Sequence, residues 1–213
     1  MKHIFGYDGV LGSFLNAVID FICLSFLWLL FSLPVVTIGS ASSALCYAVR
    51  KCFLEDEGHP LRLFWQSFRW NFKQTALLGL VYMPLLILLA ISGFYGYGFY
   101  TAGNLQLGIL IVIAVFAAIV MVWGCYAFPY IARFEDTTRT VIGNCIYLMI
   151  RNAIRSVLLL IVLAASAALI ISVPLGLAFV PAGCALASSF LLEPVFAPYI
   201  PKENINTSGV EES

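Results

Sequence analysis

Long apolar runs with few or no charged residues make up most of the chain and recur at short intervals. A membrane-spanning helix needs about 20 mostly apolar residues to cross about 30 Å of hydrocarbon. Six runs of about this size are present, at residues 17–35, 37–53, 74–98, 105–131, 154–173 and 177–198. The pattern predicts an all-α, polytopic transmembrane bundle of about six membrane helices, with five as the alternative.

Two stretches between these runs alternate polar and apolar positions with helical spacing. Over residues 61–73, aromatic residues recur on one side, and Arg62, Arg69 and Lys73 recur on the other. Residues 140–155 repeat the arrangement. We expect two amphipathic helices in the membrane interface. These helices either anchor the protein in the interface or provide a docking surface for a cytoplasmic partner. In the second hypothesis the partner contacts the three basic residues.

The positions of the basic residues predict the orientation. Nine of the eleven lie in two connections, one after the second apolar run and one after the fourth, whereas the connections near residues 100–108 and 173–176 carry no charge. Short loops rich in Lys and Arg stay in the cytoplasm, so we place both basic connections there.

The first 50 residues allow two topologies. If they cross the membrane twice, around a turn at residues 32–40, the N-terminus is cytoplasmic and there are six helices. If they cross once, there are five helices and the N-terminus lies outside. The run over residues 37–53 is short and rich in small residues, which suits a tilted helix or a re-entrant one buried in protein. We favour six crossings.

Composition supports a membrane location. Hydrophobic residues make up 62% of the chain and charged residues 10%, where about 45–50% and about 25% are usual in soluble proteins. Eleven basic and eleven acidic residues cancel, so no positive field favours nucleic acid. The expected partner is a lipid bilayer. We predict one transmembrane domain over residues 1–200 and a flexible polar tail over residues 201–213.

Motifs of catalysis and metal binding are missing from the sequence. His3 and His59 are the only histidines, so a zinc site of the His-Glu-x-x-His type is excluded, and no nucleophile elbow or phosphate-binding loop occurs. The six cysteines are scattered without a Cys-x-x-Cys pair. We therefore expect a protein that is not an enzyme and has no cofactor and no metal.

One ionisable residue falls at membrane depth. Asp20 lies about one turn into the first predicted membrane helix, where a carboxylate is costly unless it is paired or hydrated. We expect it to contact Arg69 or Lys73. A place in a substrate or proton path is the alternative.

A weak internal repetition occurs at a spacing of 81 residues. Asn71 then corresponds to Asn152, and Glu55 to Asp136. Both copies have the same predicted orientation, as in the parallel repeats of some transporters. The repetition reflects either common origin or the recurrence of what a cytoplasmic connection requires.

Three stretches of the sequence resemble a known family. They are residues 32–45, with Pro-Val-Val-Thr-Ile-Gly followed by small residues, residues 64–73 and residues 126–135. In these stretches the chain resembles the YesL family of bacterial integral membrane proteins. The resemblance implies a small polytopic protein of the cytoplasmic membrane, often encoded near genes for carbohydrate import. It implies no established activity.

These observations lead to two hypotheses of function. The first is a non-catalytic accessory component of carbohydrate uptake, which contacts a membrane transporter subunit through its cytoplasmic basic face. The alternative is a small solute transporter with a cavity near Asp20 and the Pro34 turn. The candidate functional or docking residues are Asp20, Pro34, Thr37, Gly39, Arg62, Arg69, Asn71, Lys73 and Asn152.

Overall fold

A computed structural model describes residues 10–55, 59–103, 107–134 and 136–199. Regular structure in this part of the chain is entirely helical. The α-helices are α1 (Val10–Ser32), α2 (Ile38–Phe53), α3 (Pro60–Thr101), α4 (Leu107–Ile131), α5 (Thr138–Arg151), α6 (Ala153–Ser172) and α7 (Val180–Phe196). Short 3-10 turns are Val35–Thr37, Pro174–Ala178 and Ala197–Tyr199. The predicted tail at residues 201–213 lies outside the described residues.

The all-helical fold predicted from hydropathy is confirmed for the described residues, and each predicted apolar run falls on a helix. Four helices are long and apolar enough to cross a membrane: α3, α4, α6, and α7 with its final turn. Helix α1 has 23 residues, of which the stretch Asn16–Ser32 is apolar and slightly shorter than these four. Helix α2 has 16 residues, or about 24 Å, which is less than the hydrocarbon thickness.

Helix α3 differs from the prediction. The stretch over residues 61–73, predicted as a separate interfacial helix, is the first part of one helix of 42 residues, about 63 Å long. No glycine or proline occurs between Pro60 and Gly79, so nothing interrupts the backbone hydrogen bonds. The second predicted amphipathic helix, α5, is separate because Asn152 leaves helical geometry at φ −113° and ψ 48°.

Two apolar cores share α7. The first core joins α1, α2 and the first part of α3 to the beginning of α7, with Leu24, Val49 and Phe64 at its centre. The second core joins the middle of α3 to α4, α5, α6 and the end of α7, around Tyr126 and Phe196. Half of α7 is buried, against 11–17% of the apolar stretches of α3, α4 and α6. Helix α7 is therefore the central helix of the bundle.

The outer surfaces of α3, α4 and α6 are apolar. Side chains such as Val81, Val112 and Ile171 are 67–82% exposed, a surface that suits lipid rather than water. Aromatic side chains gather toward both ends of α3, with Trp70 at 77% and Tyr97 at 62% exposure. These two residues are about 40 Å apart along the helix, close to the thickness of a bilayer with its headgroups. Aromatic residues favour both interfaces of a membrane.

Candidate functional site

The two basic connections meet at one end of the bundle. The side-chain amide of Gln74 in α3 donates a hydrogen bond to the backbone carbonyl of Asp136, 2.7 Å away. The guanidinium of Arg133, just after α4, forms a salt bridge with Glu193 near the end of α7. The connections α2–α3 and α4–α5 and the end of α7 therefore lie on the same side, as the charge pattern predicts for cytoplasmic loops.

Arg133 is the most enclosed charge of this end among the described salt bridges. Its side chain is 6% exposed, and its guanidinium carbon lies 5.1 Å from the centre of the Phe196 ring. The Nη2 group donates to Glu193, whereas Nη1 is buried and has no hydrogen-bond partner among the residues that the structure describes. Burial lowers the pKa of Arg133, and the bond with Glu193 opposes this shift. An arginine nevertheless keeps its charge in a protein.

A small cleft opens beside this arginine. It is bounded by Cys46, Tyr47 and Arg50 of α2, by Pro129, Ala132 and Arg133 at the end of α4, and by Ser189, Leu192 and Phe196 of α7. Its interior has room for about 10 Å³, the space of a single water molecule. The cleft does not hold a sugar or another solute of that size.

A second cation lines the cleft. Arg50 forms a salt bridge with Glu55, and the ammonium of Lys51 lies 2.7 Å from the other oxygen of the same carboxylate. The positive charge of Arg50 acts on Arg133 and contributes to lowering its pKa. Both arginines therefore line one opening, and each is paired with a carboxylate.

Hydrogen bonds around Tyr130 fix the neighbouring α4–α5 connection. The Tyr130 hydroxyl donates to the Asp136 carboxylate at 2.6 Å and accepts from the Asn144 amide at 2.9 Å. Together with Gln74, these groups tie α3, α4 and α5 to one loop. The loop that carries Arg133 is thus held in place from three helices.

The predicted candidates Pro34, Thr37 and Gly39 form a packed turn between α1 and α2. The Thr37 hydroxyl donates to the backbone carbonyls of Phe31 at 2.6 Å and of Pro34 at 2.8 Å. A Cβ atom on Gly39 would lie 2.7 Å from the Thr75 carbonyl oxygen and 2.9 Å from the Phe128 ring. The hydroxyls of the adjacent Ser40 and of Thr75 are hydrogen-bonded at 2.8 Å. Close packing of helices, rather than a cavity, explains the small residues here.

The basic stripe of α3, which we define as Arg62, Arg69 and Lys73, is exposed along its whole length. None of the salt bridges among the described residues involves it. The opposite face is buried, since Phe64 and Phe68 are 0% and 8% exposed. The amphipathic pattern predicted from the sequence is therefore present in the first part of α3.

Asn71 and Asn152, the candidates from the internal repetition, have related contacts. The backbone carbonyl of Asn71 accepts from the Thr75 hydroxyl at 2.6 Å, and that of Asn152 accepts from the Ser156 hydroxyl at 3.2 Å. Asn71 continues α3, whereas Asn152 separates α5 from α6. Both residues serve local helix geometry.

Asp20 lies apart from the basic stripe. His59 lies close enough to Asp20 to interact with it electrostatically, and Asp20 takes part in none of the salt bridges among the described residues. The expected contact with Arg69 or Lys73 is not formed. The reason is that α1 packs against the aromatic face of α3, through Phe31 and Phe68, while the stripe points outward.

The described residues contain no group of three or more His, Cys, Asp or Glu side chains that could hold a metal ion. The six cysteines carry free thiols. Sequence reasoning did not identify the cleft, because Arg50 and Arg133, which line it, and Glu193, which pairs with Arg133, lie on three different helices or loops. The available signal was that an arginine and an acidic residue both fall at predicted cytoplasmic helix ends.

A family model described as "Protein of unknown function, DUF624" matches residues 21–92, about a third of the chain. The match runs from α1 through α2 into α3. It includes two of the three stretches on which the resemblance to the YesL family rests, and it assigns no activity. No curated protein and no solved structure matches the chain.

Proposed function

We propose that this protein is a non-catalytic, multi-pass component of the bacterial cytoplasmic membrane that assists a carbohydrate-uptake system, as its resemblance to the YesL family implies. In this role the basic stripe of α3 docks an acidic surface of a membrane transporter subunit. The observation that supports the proposal is the stripe itself: three cations are exposed on one helix face and take part in no salt bridge among the described residues.

The packing of α3 favours docking over simple anchoring. An interfacial anchor places its aromatic face in the lipid and its basic face in water. Here Phe64 and Phe68 pack against Phe31 of α1, so much of the aromatic face is occupied inside the protein. Trp65 and Trp70 stay exposed and keep the helix close to the interface. The stripe is then presented at the membrane surface.

The alternative of a small solute transporter receives less support. A transporter function requires a cavity near Asp20 and the Pro34 turn. At that turn the backbone of α2 lies so close to α3 that a single added methyl group at Gly39 would meet Thr75 and Phe128. A closely packed turn with an exposed basic helix favours the accessory role.

We propose the six-crossing topology with both basic connections in the cytoplasm. Helix α1 has 23 residues, about 35 Å, which is enough length to cross the hydrocarbon. Helix α2 is shorter, but eight of its residues are buried inside the bundle, where a helix need not match the lipid thickness. The contacts of Gln74 with Asp136 and of Arg133 with Glu193 hold both basic connections on one side.

Affinity capture tests the docking surface. The full-length protein, solubilised in mild detergent from membranes of cells growing on the transported carbohydrate, should recover a carbohydrate-transporter subunit. The double variant Arg62→Glu and Arg69→Glu should lose at least about 90% of that recovery, because two attractions become repulsions. Recovery by the unmodified protein should also fall as salt is raised, since exposed charges are screened.

A matched control reverses two charges elsewhere. Arg139 and Arg151 are exposed on α5, so Arg139→Glu with Arg151→Glu makes the same change in net charge. This variant should retain the subunit and support carbohydrate uptake. Equal recovery by the stripe variant and the unmodified protein would exclude the stripe as the docking surface.

A further inference from the structure

The basic stripe of α3 continues along the same face of the helix as a row of exposed apolar residues. Arg62 and Leu80 are 18 residues apart, or about five whole turns, so they lie on the same side of the helix. The residues that follow at this helical spacing are exposed as well. We define the apolar row as Leu80, Pro84, Ile87, Ile91 and Phe94. The stripe and the apolar row form one continuous face.

The lengths of the two parts match a membrane and its surface. Lys73, the last cation of the stripe, and Phe94 are 21 residues apart, which is about 32 Å along the helix. The hydrocarbon of a bilayer is about 30 Å thick. The stripe itself extends over about 17 Å from Arg62 to Lys73. A partner that covers the whole face therefore has an apolar part of membrane length and a polar part at the membrane surface.

Charge excludes a second copy of this chain as that partner. Two copies inserted in the same direction and related by a two-fold axis would place stripe against stripe. Like charges that face each other across an interface disfavour association. None of the salt bridges among the described residues neutralises the stripe. The polar part of the partner is therefore acidic.

The apolar row also presents a backbone carbonyl without its helical donor. Pro84 lies inside α3 and has no N–H, so the carbonyl of Leu80, four residues earlier, loses its hydrogen bond. The side-chain hydrogen bonds accepted by carbonyls of α3 in the described part of the chain go to Asn71, Phe72 and Gly98. In membranes, neighbouring helices and Ser or Thr side chains supply such a donor, whereas lipid chains have none. A helix is therefore favoured over lipid beside the apolar row.

We propose that the face formed by the stripe and the apolar row binds a membrane-spanning helix of the partner. The cytoplasmic end of this helix carries acidic residues against the stripe, and a Ser or Thr faces the Leu80 carbonyl. The inference rests on the proposed docking function and deepens it, since the partner contacts α3 inside the membrane as well as at its surface.

Photocross-linking in cells growing on the transported carbohydrate tests this arrangement. The photoreactive amino acid benzoylphenylalanine replaces Gln66, Ile87 or Leu88, one at a time, in the full-length protein. Gln66 is exposed beside the stripe, and Ile87 belongs to the apolar row. Leu88 is the matched control, because it is exposed like Ile87, at 61% against 50%, but points about 100° away from it.

Both Gln66 and Ile87 should cross-link to the carbohydrate-transporter subunit, whereas Leu88 should not. Mass spectrometry should place the Ile87 cross-link in a transmembrane helix that has an acidic cytoplasmic end. The double variant Arg62→Glu and Arg69→Glu should lose at least about 90% of the Ile87 cross-link, because the charge pairs hold the helix in place.

The three positions separate failure of this inference from failure of the docking function. A cross-link to the subunit from Gln66 alone would leave the docking function in place and would overturn the partner helix. Equal yields at Ile87 and Leu88 would also overturn it, since they indicate random encounters in lipid. A cross-link between two copies of this chain at Ile87 would identify the wrong occupant. Absence of the subunit at all three positions would contradict the docking function itself.

Discussion

Gly39 has a hydrogen atom where alanine has a methyl group, and this difference affects how closely α2 packs against α3. A Cβ atom there would lie 2.7 Å from the Thr75 carbonyl oxygen and 2.9 Å from the Phe128 ring. The first of these neighbours is backbone and cannot rotate away. Glycine at this position therefore permits the close approach of α2 to α3, in the way that small residues do between membrane helices.

We expect Gly39→Ala to destabilise the protein by about 1–3 kcal/mol, the usual cost of overpacking. Unfolding in detergent, followed by tryptophan fluorescence, measures the change. Gly79→Ala is the matched test on the facing helix, because its Cβ would lie 3.6 Å from Gly39, an ordinary contact. Gly93→Ala in α3 would meet nothing within 4 Å, so helix propensity should make it neutral or stabilising by up to about 1 kcal/mol. Equal effects of all three substitutions would contradict this account.

Thr37 stabilises the turn through its hydroxyl group. This group donates to the Phe31 carbonyl in the last turn of α1, where a helix leaves its carbonyls free, and it also lies within hydrogen-bond distance of the Pro34 carbonyl, which accepts from the Thr37 backbone N–H as well. Thr37→Val keeps the shape and removes the donor, so we expect a loss of about 1–2 kcal/mol in unfolding free energy.

Two further substitutions show whether the donor is responsible. Thr37→Ser should retain most of the stability, since it keeps the hydroxyl. Thr101 makes a similar bond to the Gly98 carbonyl at the exposed end of α3, where water can replace it, so Thr101→Val should cost less than Thr37→Val. If Thr37→Ser is as damaging as Thr37→Val, the methyl group and not the hydroxyl is what matters.

At the scale of the element, the hairpin of α1 and α2 is decisive for topology. Leu33 at its tip is 77% exposed, and Ala102 lies exposed at the far end of α3. With six crossings, both positions face the outside. Single cysteines at each position, in a background lacking the six native cysteines, should then react with a membrane-impermeant maleimide added to intact cells.

A cysteine at Thr137, which is exposed beside the basic connection, is the internal control and should react only after the membrane is permeabilised. Protection of Leu33→Cys while Ala102→Cys reacts would place the tip of the hairpin within the bilayer and would exclude six crossings. Reaction of the Thr137 cysteine from outside would invert the whole arrangement.

Helix positions are well predicted from the sequence, because the cost of placing charge in hydrocarbon forces long runs with few charged residues. The continuity of α3 is not, since the change of surface pattern after Lys73 suggests a break, whereas the backbone hydrogen bonds of the helix continue through it. Hydropathy describes what surrounds a helix and not where its hydrogen bonds end.

The candidate site was predicted in part. The basic stripe follows from helical spacing within one segment, and its exposure agrees with that reading. The cleft depends on Arg50, Arg133 and Glu193 meeting through tertiary packing, which no local spacing encodes. Asp20 illustrates the same limit. Its proximity to His59, the residue before α3, depends on how α3 packs against α1.

At the scale of the whole molecule, the unbroken course of α3 has a mechanical consequence. The same helix carries the lipid-facing surface and the exposed cations, with no loop between them. A helix responds to a thicker or thinner bilayer by changing its tilt. A change of tilt moves the charged end of α3 relative to the membrane surface. Lipid composition therefore affects how that end contacts a neighbouring protein.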